Sequence, residues 1–535
     1  MRFLEGIVEA RKAGLPRQLR SGAEALVEAL ERAGTEVVFG YPGANVVDIY
    51  GRLQRAKFRF VLGRHEQGCA HMADGYARAT GRPGVVVVTS GPGATNAITG
   101  LATANVDGVP MVLISGQVPL SQIGTDAFQE ADMTGICRAA TKHSFLVKSA
   151  DEIPETVAQA FYIATHGKPG AVVIDVPKNV QEELTAAQYP ERISLRAYHP
   201  EHAATTAQVN KLAKYLNEAR RPVLYAGGGV IAANAAKDVA ALAKRAGIPV
   251  ATTLMGIGSF DESDRLALGL AGLYGTKAAN AALAAADVII ALGVRFNDRV
   301  TGKNMAQYVP GAKIVHVDCD PSSIDKNVTV DLGIVADVKD LLTTVNSRVK
   351  PNERAAWGRR IAAWKAKDGP VSAGRDISAR RVTESVWNAT KGMAVLVADV
   401  GDHQMACARY YRHAHPRHFL TSGGMGTMGF AIPAAIGAAI ARPDRAVVAV
   451  MGDGGAQMTS EELIVAVELK LPIAFIVVNN RALGMVHAPI TSPDFVKLAE
   501  AHGMKGVRVS DSKKLDATIL KAVRAKGPVL VEVRT

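Results

Sequence analysis

The stretch MGDGGAQMTSEELIVAVELKLPIAFIVVNN, from Met451 to Asn480, has the pattern of a strand–helix–strand unit. The apolar run AVVAVM, which ends at Met451, and the run IAFIVV predict two strands. The segment TSEELIVAVELKL between them predicts a helix with Thr459 or Ser460 as its N-cap. A right-handed crossover makes the two strands parallel, so their carboxyl ends lie at one edge of a sheet. We therefore expect Asp453, after the first strand, to lie close to Asn480, after the second.

These two side chains offer the ligands of a hard cation. A carboxylate and an amide oxygen suit Mg²⁺, which would still need phosphate oxygens to complete its octahedron. The glycines around Asp453 let the backbone approach such phosphates closely. The alternative is a turn aspartate followed by asparagines that cap a loop, which explains an isolated GDG but not its setting with NN. The stretch therefore predicts a site for a metal ion and a phosphorylated ligand.

Apolar runs and alanine-rich helical segments alternate through the whole chain, as in α/β proteins. With 535 residues, 48% of them hydrophobic, the chain is long enough for three domains. Near-continuous apolar runs are typical of strands buried on both faces of parallel sheets, whose carboxyl ends collect ligands. The runs are EVVFG, GVVVVTSG, MVLISG, AVVIDVP, PVLYAGGG, DVIIALG, KIVHVD, AVLVADVG, AVVAVMGDG, IAFIVVNN and PVLVEVR.

Two polar passages, at about 181–206 and 347–376, divide the chain and are typical of linkers or connecting helices. We predict domains at residues 1–185, 200–347 and 375–535, each with a mainly parallel central sheet flanked by helices. The segments GVVVVTSGPGATNAITGLATA and TSGGMGTMGFAIPAAIGAAIA, in the first and third domains, both join a Gly-rich turn to a helix of small residues. This similarity indicates a duplication.

Composition argues against several classes of protein. The net charge of +12 comes from scattered residues with no basic run, which predicts a solvated surface and no nucleic-acid partner. No apolar run approaches the length of a membrane span. Residues 1–20 are basic and amphipathic, but their acidic residues favour a surface helix over a targeting segment. The widely spaced cysteines predict reduced thiols in a cytoplasmic protein: Cys69, Cys137, Cys319 and Cys407.

The pair GDG and NN resembles the diphosphate-anchoring motif of thiamine diphosphate enzymes. The resemblance implies that Asp453 and Asn480 bind the metal by their side chains and Ala482 by its backbone carbonyl. Thiamine chemistry also needs a carboxyl group beside the aminopyrimidine ring, so that the ring can remove the thiazolium C2 proton. Glu66, in VLGRHEQGCAHMADGYARATG, follows a strand and begins a helix. Alone it is explained as a first-turn acid favoured by the helix dipole, but beside the metal motif the catalytic interpretation is stronger.

Over nearly its whole length the chain is most similar to the acetohydroxyacid (acetolactate) synthase catalytic subunits. The phrases that carry this resemblance are YPGANVVDIY, RHEQGCAHMADGYARATG, SGPGATN, SGQVP, IGTDAFQEADMTGI, TKHSFLV, TTLMGIGSF, GVRFNDRVTGK, DVGDHQM, TSGGMGTMGFAIPAAIGA and PDFVKLAEAHG. The resemblance implies a thiamine diphosphate-binding fold in the first and third domains and a Rossmann-like middle domain. In the family, the glutamate of one subunit meets the diphosphate motif of another, which implies a homodimer or homotetramer.

The resemblance also implies the residues of the active site. One subunit would supply Gly43, Glu66, Gln117, Phe128, Gln129 and Lys142. Its partner would supply Gly401, His403, Gln404, Gly426, Met428, Gly452, Asp453, Gly454, Gly455, Asn480 and Met485. Met428 resembles the bulky residue that supports the bent cofactor, with plain core packing as its alternative. A satisfied loop histidine is the alternative for His403.

The middle domain is similar to the FAD-binding domain of the biosynthetic synthases. The phrases are LYAGGGVI, GLYGTKAAN, GVRFNDRVTGK, HVDCDP and ADVK. The resemblance implies FAD contacts by Gly227, Gly228, Gly229, Arg295, Asp318 and Asp337. The flavin would take part in no redox step, and a domain without cofactor is the alternative. Arg299 matches the arginine that holds the carboxylate of the second keto acid, a contact that suits a planar guanidinium.

The chain departs from the family pattern at three places. Asn297 replaces a more usual aspartate. The family follows GMV with a loop containing glutamine and tryptophan, whereas LGMVHAPITSPDFVKLAEAHG continues almost directly and no tryptophan follows Trp387. The sequence also ends at VLVEVRT, without the tail that covers the active site in the family. Both missing pieces exclude water and select the second substrate there, so we expect an altered acceptor preference.

We therefore predict a thiamine diphosphate- and Mg²⁺-dependent acetolactate synthase of branched-chain amino acid biosynthesis, with 2-keto acids as substrates. Pyruvate would lose CO₂ and its two-carbon unit would join pyruvate or 2-ketobutyrate. A regulatory subunit is a further partner that the family implies. The alternatives are a related 2-keto acid decarboxylase or carboligase, and a non-catalytic homologue kept for assembly. Glu66, Asp453 and Asn480 argue against the last, because a scaffold needs none of them.

Overall fold

The computed structural model describes residues 19–193, 195–302, 308–367 and 377–535. The chain forms two compact units, Met1–His199 and Pro200–Thr535. The surface helix predicted within residues 1–20 lies outside the described residues, except for the last two positions. The three domain boundaries remain a prediction.

The first unit contains a six-stranded parallel sheet in the order β3-β2-β4-β5-β7-β6. Its strands are β2 (Val37–Tyr41), β3 (Arg59–Leu62), β4 (Gly84–Val88), β5 (Met111–Gln117), β6 (His143–Leu146) and β7 (Ala171–Pro177). The short strands β1 (Arg20–Ser21) and β8 (Leu184–Thr185) form a separate antiparallel pair. The central strands β4, β5 and β7 are buried along their whole length, as their continuous apolar runs predict.

Helices flank this sheet and begin where the sequence offers caps. Ser21 and Glu24 form a capping box at the first helix, and Gly81, with a φ of 79°, ends the helix that begins at Glu66. The helices are α1 (Gly22–Arg32), α2 (Val47–Leu53), α3 (Glu66–Thr80), α4 (Pro92–Asn96), α5 (Ile98–Asp107), α6 (Met133–Ile136), α7 (Ile153–Thr165) and α8 (Lys178–Glu182).

The second unit contains two parallel sheets. The first has the order β11-β10-β9-β12-β13-β14, so its chain order runs outward from β9 in both directions, as in dinucleotide-binding folds. Its strands are β9 (Pro222–Ala226), β10 (Val250–Thr252), β11 (Ala267–Leu270), β12 (Val288–Leu292), β13 (Lys313–Asp318) and β14 (Leu332–Val335). Its helices are α9 (Thr206–Glu218), α10 (Gly228–Ala232), α11 (Ala236–Ala246), α12 (Lys277–Ala285), α13 (Asp298–Thr301), α14 (Val338–Asn346) and α15 (Ala355–Lys367).

The other sheet has the order β16-β15-β17-β18-β22-β21. Its strands are β15 (Val395–Ala398), β16 (Phe419–Thr421), β17 (Val447–Gly452), β18 (Ile473–Asn479), β21 (Lys505–Val509) and β22 (Val529–Arg534), and β19 (Ala482–Leu483) with β20 (Ala488–Pro489) forms a small antiparallel hairpin. The helices are α16 (Ala379–Thr390), α17 (Asp402–Tyr410), α18 (Ala431–Ala441), α19 (Asp453–Met458), α20 (Leu463–Glu468), α21 (Phe495–Ala501) and α22 (Ser512–Val523). Renumbered along the chain, this strand order is the same as that of the first unit, which agrees with the indicated duplication.

The predicted α/β class with mainly parallel sheets is confirmed, and each apolar run quoted above contains a strand of these sheets. The predicted N-cap in the crossover is wrong. Its helix begins directly at Asp453 after Gly452, and a 3₁₀ turn at Ser460–Glu462 separates α19 from α20. The Thr459 hydroxyl donates to the carbonyl of Gly429 at 2.8 Å instead of capping. Within the described residues, no helix is both long and apolar enough to cross a membrane.

Candidate active site

Asp453 stands at the end of β17, where it begins α19 with Gly452 as the N-cap. β17 and β18 are parallel neighbours, with Gly452 paired to Val478, so the predicted edge with both acidic and amide side chains exists. The Asp453 side chain is almost fully buried, at 1% exposure of the residue. A buried carboxylate at a strand end needs compensating donors or a cation.

The two asparagines at the end of β18 point in different directions. Asn479 is buried and its amide donates to the Glu532 carboxylate at 2.9 Å, inside the sheet layer. Asn480 is exposed, and its Oδ1 accepts a hydrogen bond from the backbone N–H of Ala482 at 3.0 Å. Asn480 is therefore the asparagine available at the strand edge, the same one that the sequence resemblance implies as a metal ligand.

His403 occupies the space between two glycines of this edge. Its imidazole carbon Cε1 and nitrogen Nδ1 lie 3.1 and 3.3 Å from the Cβ that a side chain at Gly452 would place there. They lie closer, at 2.6 and 2.9 Å, to a Cβ at Gly401. Burial lowers the pKa of His403 to about 4, so the ring is neutral at neutral pH. Within the described chain, its Nε2 has no hydrogen-bond partner. A neutral imidazole nitrogen is thus left for a ligand.

The glycines after Asp453 are packed against neighbouring side chains. A Cβ at Gly454 would lie 2.5 Å from the Leu483 side chain and 3.2 Å from Cε of Met428. A Cβ at Gly455 would lie 2.8 Å from Oδ1 of Asp399. A side chain at Gly455 would press on the buried Asp399 carboxylate, whereas one at Gly454 would have to displace the ends of flexible side chains. The structure brings Met428 to the predicted diphosphate segment, where its side chain is half-buried.

Asp399, at the end of β15, was missed by the sequence reasoning. Its buried carboxylate accepts hydrogen bonds from the backbone N–H groups of Val400, Gly429 and Ala431, at 2.7, 3.1 and 3.0 Å. Burial nevertheless raises its pKa to about 6. Asp399 thereby fixes the turn that carries Met428. Its place between a buried strand and a Gly-rich segment, in VADVG, was the only sequence signal.

The other predicted residues of this domain lie at the same edge but make different contacts. Gln404 is buried, and its amide donates to the Thr421 hydroxyl at 2.7 Å, so it ties α17 to the end of β16. Gly426 has open space around its α-carbon and a φ of 65°. Met485 lies in the turn of the β19–β20 hairpin and is 38% exposed. Ala482 is the first residue of that hairpin.

In the first unit, Glu66 begins α3 directly after the end of β3, and it is buried. The Asn96 amide donates to its Oε2 at 2.9 Å. A Cβ at Gly93 would come within 3.3 Å of its Oε1, so the glycine keeps that oxygen uncrowded. Glu66 is a first-turn acid, as the simpler interpretation holds, but its burial distinguishes it from a surface helix-start residue. Asn96 was missed by the sequence reasoning, although SGPGATN was quoted for its resemblance.

Gln117 ends β5 at the same edge as Glu66. Its amide nitrogen donates to Asp175 at 2.9 Å and to the carbonyl of Ala131 at 2.6 Å, and its Oε1 accepts from the N–H of Val118 at 2.9 Å. The structure therefore fixes the orientation of this side chain completely. Asp175, which the sequence reasoning did not single out, lies inside β7 opposite Ser115.

The segment after β5 presents Phe128 to the surface, with 85% of the residue exposed. The backbone of Gln129 next to it has a φ of 62° and packs on Gly91, and the carboxylate of Glu130 holds the N–H of Ala127 at 3.0 Å. Gly43 follows β2, and a side chain at this position would overlap Thr89. These residues lie at the carboxyl edge of the sheet with Glu66.

Lys142 is not brought together with them. It precedes β6, and its N–H bonds to the carbonyl of Ala171, the first residue of β7, so it lies at the amino edge of the same parallel sheet. Its ammonium donates to the carbonyls of Ile163 and His166, at 2.5 and 2.8 Å, and to the Tyr198 hydroxyl at 2.8 Å. Within this unit, Lys142 is therefore remote from Glu66, and its predicted role stays a prediction.

The predicted FAD residues all follow strands of the middle sheet, at its carboxyl edge. Gly227–Gly229 follow β9 and lie against Gly293, which follows β12, so closely that a Cβ at Gly227 would overlap the Gly293 carbonyl. β9 and β12 are the neighbours between which the strand order reverses. Ligands of such sheets bind at that point, so the position fits a dinucleotide.

The other predicted residues at this edge make different contacts. The Asp337 carboxylate caps α14 by accepting from the N–H groups of Lys339 and Asp340. Asp318, at the end of β13, is buried and accepts from the N–H of Asp320 at 2.9 Å. Arg295 follows β12, and its carbonyl accepts from Asn327 at 3.2 Å. The exposed Arg299 is the second residue of α13 and has the Tyr274 hydroxyl 3.5 Å from its Nη1.

The donor set fits magnesium and a diphosphate. Among the described residues, no group of three or more His, Cys, Asp or Glu side chains forms a metal site. A cation at Asp453 would therefore depend on amide, carbonyl and phosphate oxygens besides the one carboxylate, a combination that suits Mg²⁺ better than a soft metal. The close-packed glycines and the unpartnered Nε2 of His403 fit an anionic group beside it.

Comparison with known proteins assigns this geometry to a family. Three descriptions of thiamine pyrophosphate enzymes match consecutive parts of the chain. The N-terminal TPP binding domain matches residues 20–136, the central domain matches 209–345, and the C-terminal TPP binding domain matches 399–533. The central match contains the whole middle sheet, and the other two matches each contain most of the strands of one of the other sheets.

Curated relatives extend the match over the whole length. The acetolactate synthase large subunit of Haemophilus influenzae is 43% identical over 536 residues, 95% of this chain and 93% of the relative. The chain belongs to the acetolactate synthase family of thiamine diphosphate enzymes. The large subunit of acetolactate synthase isozyme 3 from Escherichia coli is also 43% identical, over 96% of this chain and 95% of the relative. The mitochondrial catalytic subunit of acetolactate synthase from Saccharomyces cerevisiae is 41% identical, over 96% of this chain and 80% of the relative.

Membership of the acetolactate synthase family confirms several predictions made from the sequence. The recognised family, the α/β class with three thiamine-enzyme domains, and an acetolactate synthase enzyme are all confirmed at this level. Thiamine diphosphate as the cofactor class is confirmed through the three domain matches. Magnesium, FAD, the oligomer and the role of each site residue remain predictions.

Proposed function

We propose that this chain joins two 2-keto acids into an acetohydroxyacid, with Glu66 and Asp453 as the central acidic residues of the site. The observation that carries the proposal is the burial of both carboxylates at the carboxyl edges of parallel sheets, in two domains matched to thiamine pyrophosphate enzymes. Pyruvate would be the donor, and pyruvate or 2-ketobutyrate the acceptor.

Each residue has a task that its surroundings support. Thiamine diphosphate, when bound, supplies the nucleophilic carbon that releases CO₂ from a 2-keto acid and transfers the remaining two-carbon unit. Glu66 would move a proton to and from the cofactor's pyrimidine ring, and Asn96 holds its Oε2 in place. Asp453, Asn480 and the carbonyl of Ala482 would hold Mg²⁺. The neutral His403, with Gly401, Gly452 and Gly454, would contact the diphosphate, and Met428 and Met485 the rings.

The substrate would be held by side chains whose environments differ. Arg299 is exposed, so its guanidinium would bind the acceptor's carboxylate in a bidentate manner. Gln117 is fixed by Asp175 and would offer a rigid surface rather than a mobile amide. Phe128 and Gln129 would shape the acceptor side.

FAD would bind in the middle domain, where Gly227–Gly229 and Gly293 meet at the reversal of strand order. Arg295 and Asp318 would contact it. Asp337 already caps a helix, so its contact would be through the free face of the carboxylate. Release of flavin on denaturation, followed by its absorbance near the visible flavin bands, tests this part separately.

The assembly would be at least a homodimer, with Glu66 of one subunit next to the diphosphate residues of its partner. The exposed Phe128 would lie at that interface. The relatives are named large subunits, which supports a regulatory small subunit as a further partner. A cytoplasmic location remains part of the proposal.

Product analysis tests the reaction. The full chain would be incubated with pyruvate, thiamine diphosphate, Mg²⁺ and FAD, with the Glu66→Gln variant as the control. Acetolactate is the expected product. Acetaldehyde as the main product would favour the decarboxylase, which the short segment after Met485 makes the second candidate. No turnover with bound cofactor would leave only an assembly role.

A further inference from the structure

The segment after the metal-site asparagine folds back toward Asp453. β19 and β20 pair in an antiparallel hairpin, with Ala482 opposite Pro489, and the N–H of Ile490 closes it by donating to the carbonyl of Arg481 at 3.0 Å. Two residues beyond Ile490, the hydroxyl of Ser492 donates to Oδ2 of Asp453 at 2.5 Å. The hairpin therefore begins beside one proposed metal ligand and ends on another.

The position of Ser492 is fixed by its neighbours in the chain. Pro493 follows it and restricts its backbone to extended conformations. Asp494 caps α21 and accepts from the Arg508 guanidinium at 2.6 Å. Arg508 also donates to Glu532, at 2.6 Å, and Glu532 is the acceptor for Asn479. Both ends of the hairpin are thus held by one hydrogen-bonded network.

We propose that Ser492 is a positioning residue for the metal-binding carboxylate, an inference that rests on the proposed Mg²⁺ site. A hydroxyl that donates to Oδ2 fixes the rotation of the carboxylate group and leaves Oδ1 to the cation. Partners of this kind orient a ligand before the metal arrives, so that the metal does not have to immobilise it. Within the described residues, no hydrogen bond to Oδ1 of Asp453 accompanies the one from Ser492.

The same contact links the hairpin that carries Met485 to the metal. When Ser492 holds Asp453, the return strand β20 is anchored at its far end, and the turn Gly484–Val486 is held above Gly454 through Leu483. Ser492 therefore couples the order of the hairpin to cation binding.

Cation binding to the full chain in the presence of thiamine diphosphate tests the proposal, with Mn²⁺ as the probe and its electron paramagnetic resonance signal as the readout. Ser492→Ala should weaken Mn²⁺ binding by about 10-fold, the usual effect of losing a ligand's orienting partner. Ser492→Thr keeps a hydroxyl and should restore affinity to within about 3-fold of the original. Thr491→Ala removes the neighbouring exposed hydroxyl and should change nothing.

The direction of the change in Mn²⁺ affinity shows whether the Ser492 hydroxyl supports or opposes cation binding. Unchanged affinity in Ser492→Ala would overturn the proposal. Tighter binding would overturn it too, because it would show that the hydroxyl competes with the cation. Asp453→Ala in the same titration separates this from the site itself: undiminished binding there would refute the metal assignment as a whole. Hydrogen exchange of the amides of residues 482–488 should quicken in Ser492→Ala and not in Thr491→Ala, and equal exchange in both would contradict the coupling.

Discussion

The side-chain amide of Gln117 donates a hydrogen bond to the buried carboxyl group of Asp175, with 2.9 Å between the two atoms. The Ser115 hydroxyl donates to the other oxygen of Asp175 at 2.6 Å. Burial raises the pKa of Asp175 to about 7, and these two donors lower it only in part. Asp175 is therefore a proton-binding group at neutral pH whose charge acts on a predicted substrate residue.

Asp175→Asn should change how stability depends on pH. Because the folded pKa is raised from 3.8 to about 7, the native protein holds a proton that the unfolded chain has lost, and the stability from this group falls as pH rises through that window. The variant has no such loss, so relative to the original it should gain on the order of 2 kcal/mol between pH 5 and pH 8. Urea unfolding at both pH values measures this. Asp126→Asn, at an exposed turn, is the control, and a parallel shift in both variants would contradict the prediction.

Glu66→Gln should keep the fold and lose turnover by about 100-fold or more, because an amide cannot accept and return the proton. The Asn96 amide can still donate to the new side-chain oxygen, so the local geometry should survive. Steady-state rates with pyruvate, together with thiamine diphosphate binding, measure the two effects. Glu182→Gln, at an exposed position of the same unit, should leave both unchanged. Near-original turnover in Glu66→Gln would remove the residue from the mechanism.

Asp453→Ala should weaken the joint binding of Mg²⁺ and thiamine diphosphate by more than the 10-fold or so expected for Ser492→Ala. The cation would lose its one protein carboxylate, and the phosphate charge would be poorly neutralised. Calorimetric titration of both ligands is the direct measurement. Asp444→Ala removes an exposed carboxylate that pairs with Arg442 and should not affect the titration.

The enzyme should discriminate only weakly between pyruvate and 2-ketobutyrate as the acceptor. The segment after Met485 is a short hairpin whose exposed His487, with a φ of 53°, provides no broad apolar wall. Pyruvate and 2-ketobutyrate differ by one methylene, worth roughly 1–3 kcal/mol in a fitted pocket. Competition between them should therefore give both acetohydroxyacids in similar amounts and some acetaldehyde from water entry. Strong preference for 2-ketobutyrate without acetaldehyde would show that another segment closes the site.

Arg354→Ala should destabilise the second unit by about 3 kcal/mol or more, since buried carbonyls would lose a charged donor. The buried guanidinium donates to the carbonyls of Leu216, Ala219 and Ala246, at the ends of α9 and α11. Thermal unfolding measures the loss. Arg348→Ala, at an exposed neighbouring position, is the matched control and should change the midpoint little.

Apart from β10, the inner strands of the three sheets could be predicted from sequence, whereas the edge strands could not. β2, β4, β5 and β7 of the first unit are continuous apolar runs, but the edge strands β3 and β6 are short and partly exposed. The edge strand β21 is also mostly exposed or half-buried, and the edge strand β16 is only three residues long. An edge strand is covered on one side only, so its composition approaches that of a loop.

The sequence by itself determined the sheet class, the inner strands apart from β10, and the placement of Asp453 and Asn480 on one edge, because strand periodicity and the parallel crossover are local properties of the chain. Only the tertiary structure decided which polar groups meet: Asn479 turns inward to Glu532 while Asn480 stays at the edge, and Ser492 reaches Asp453. It also separated Lys142 from Glu66, on opposite edges of one sheet. Such contacts join residues far apart in the sequence, and side-chain direction and distance in the packed fold determine them, which no local pattern encodes.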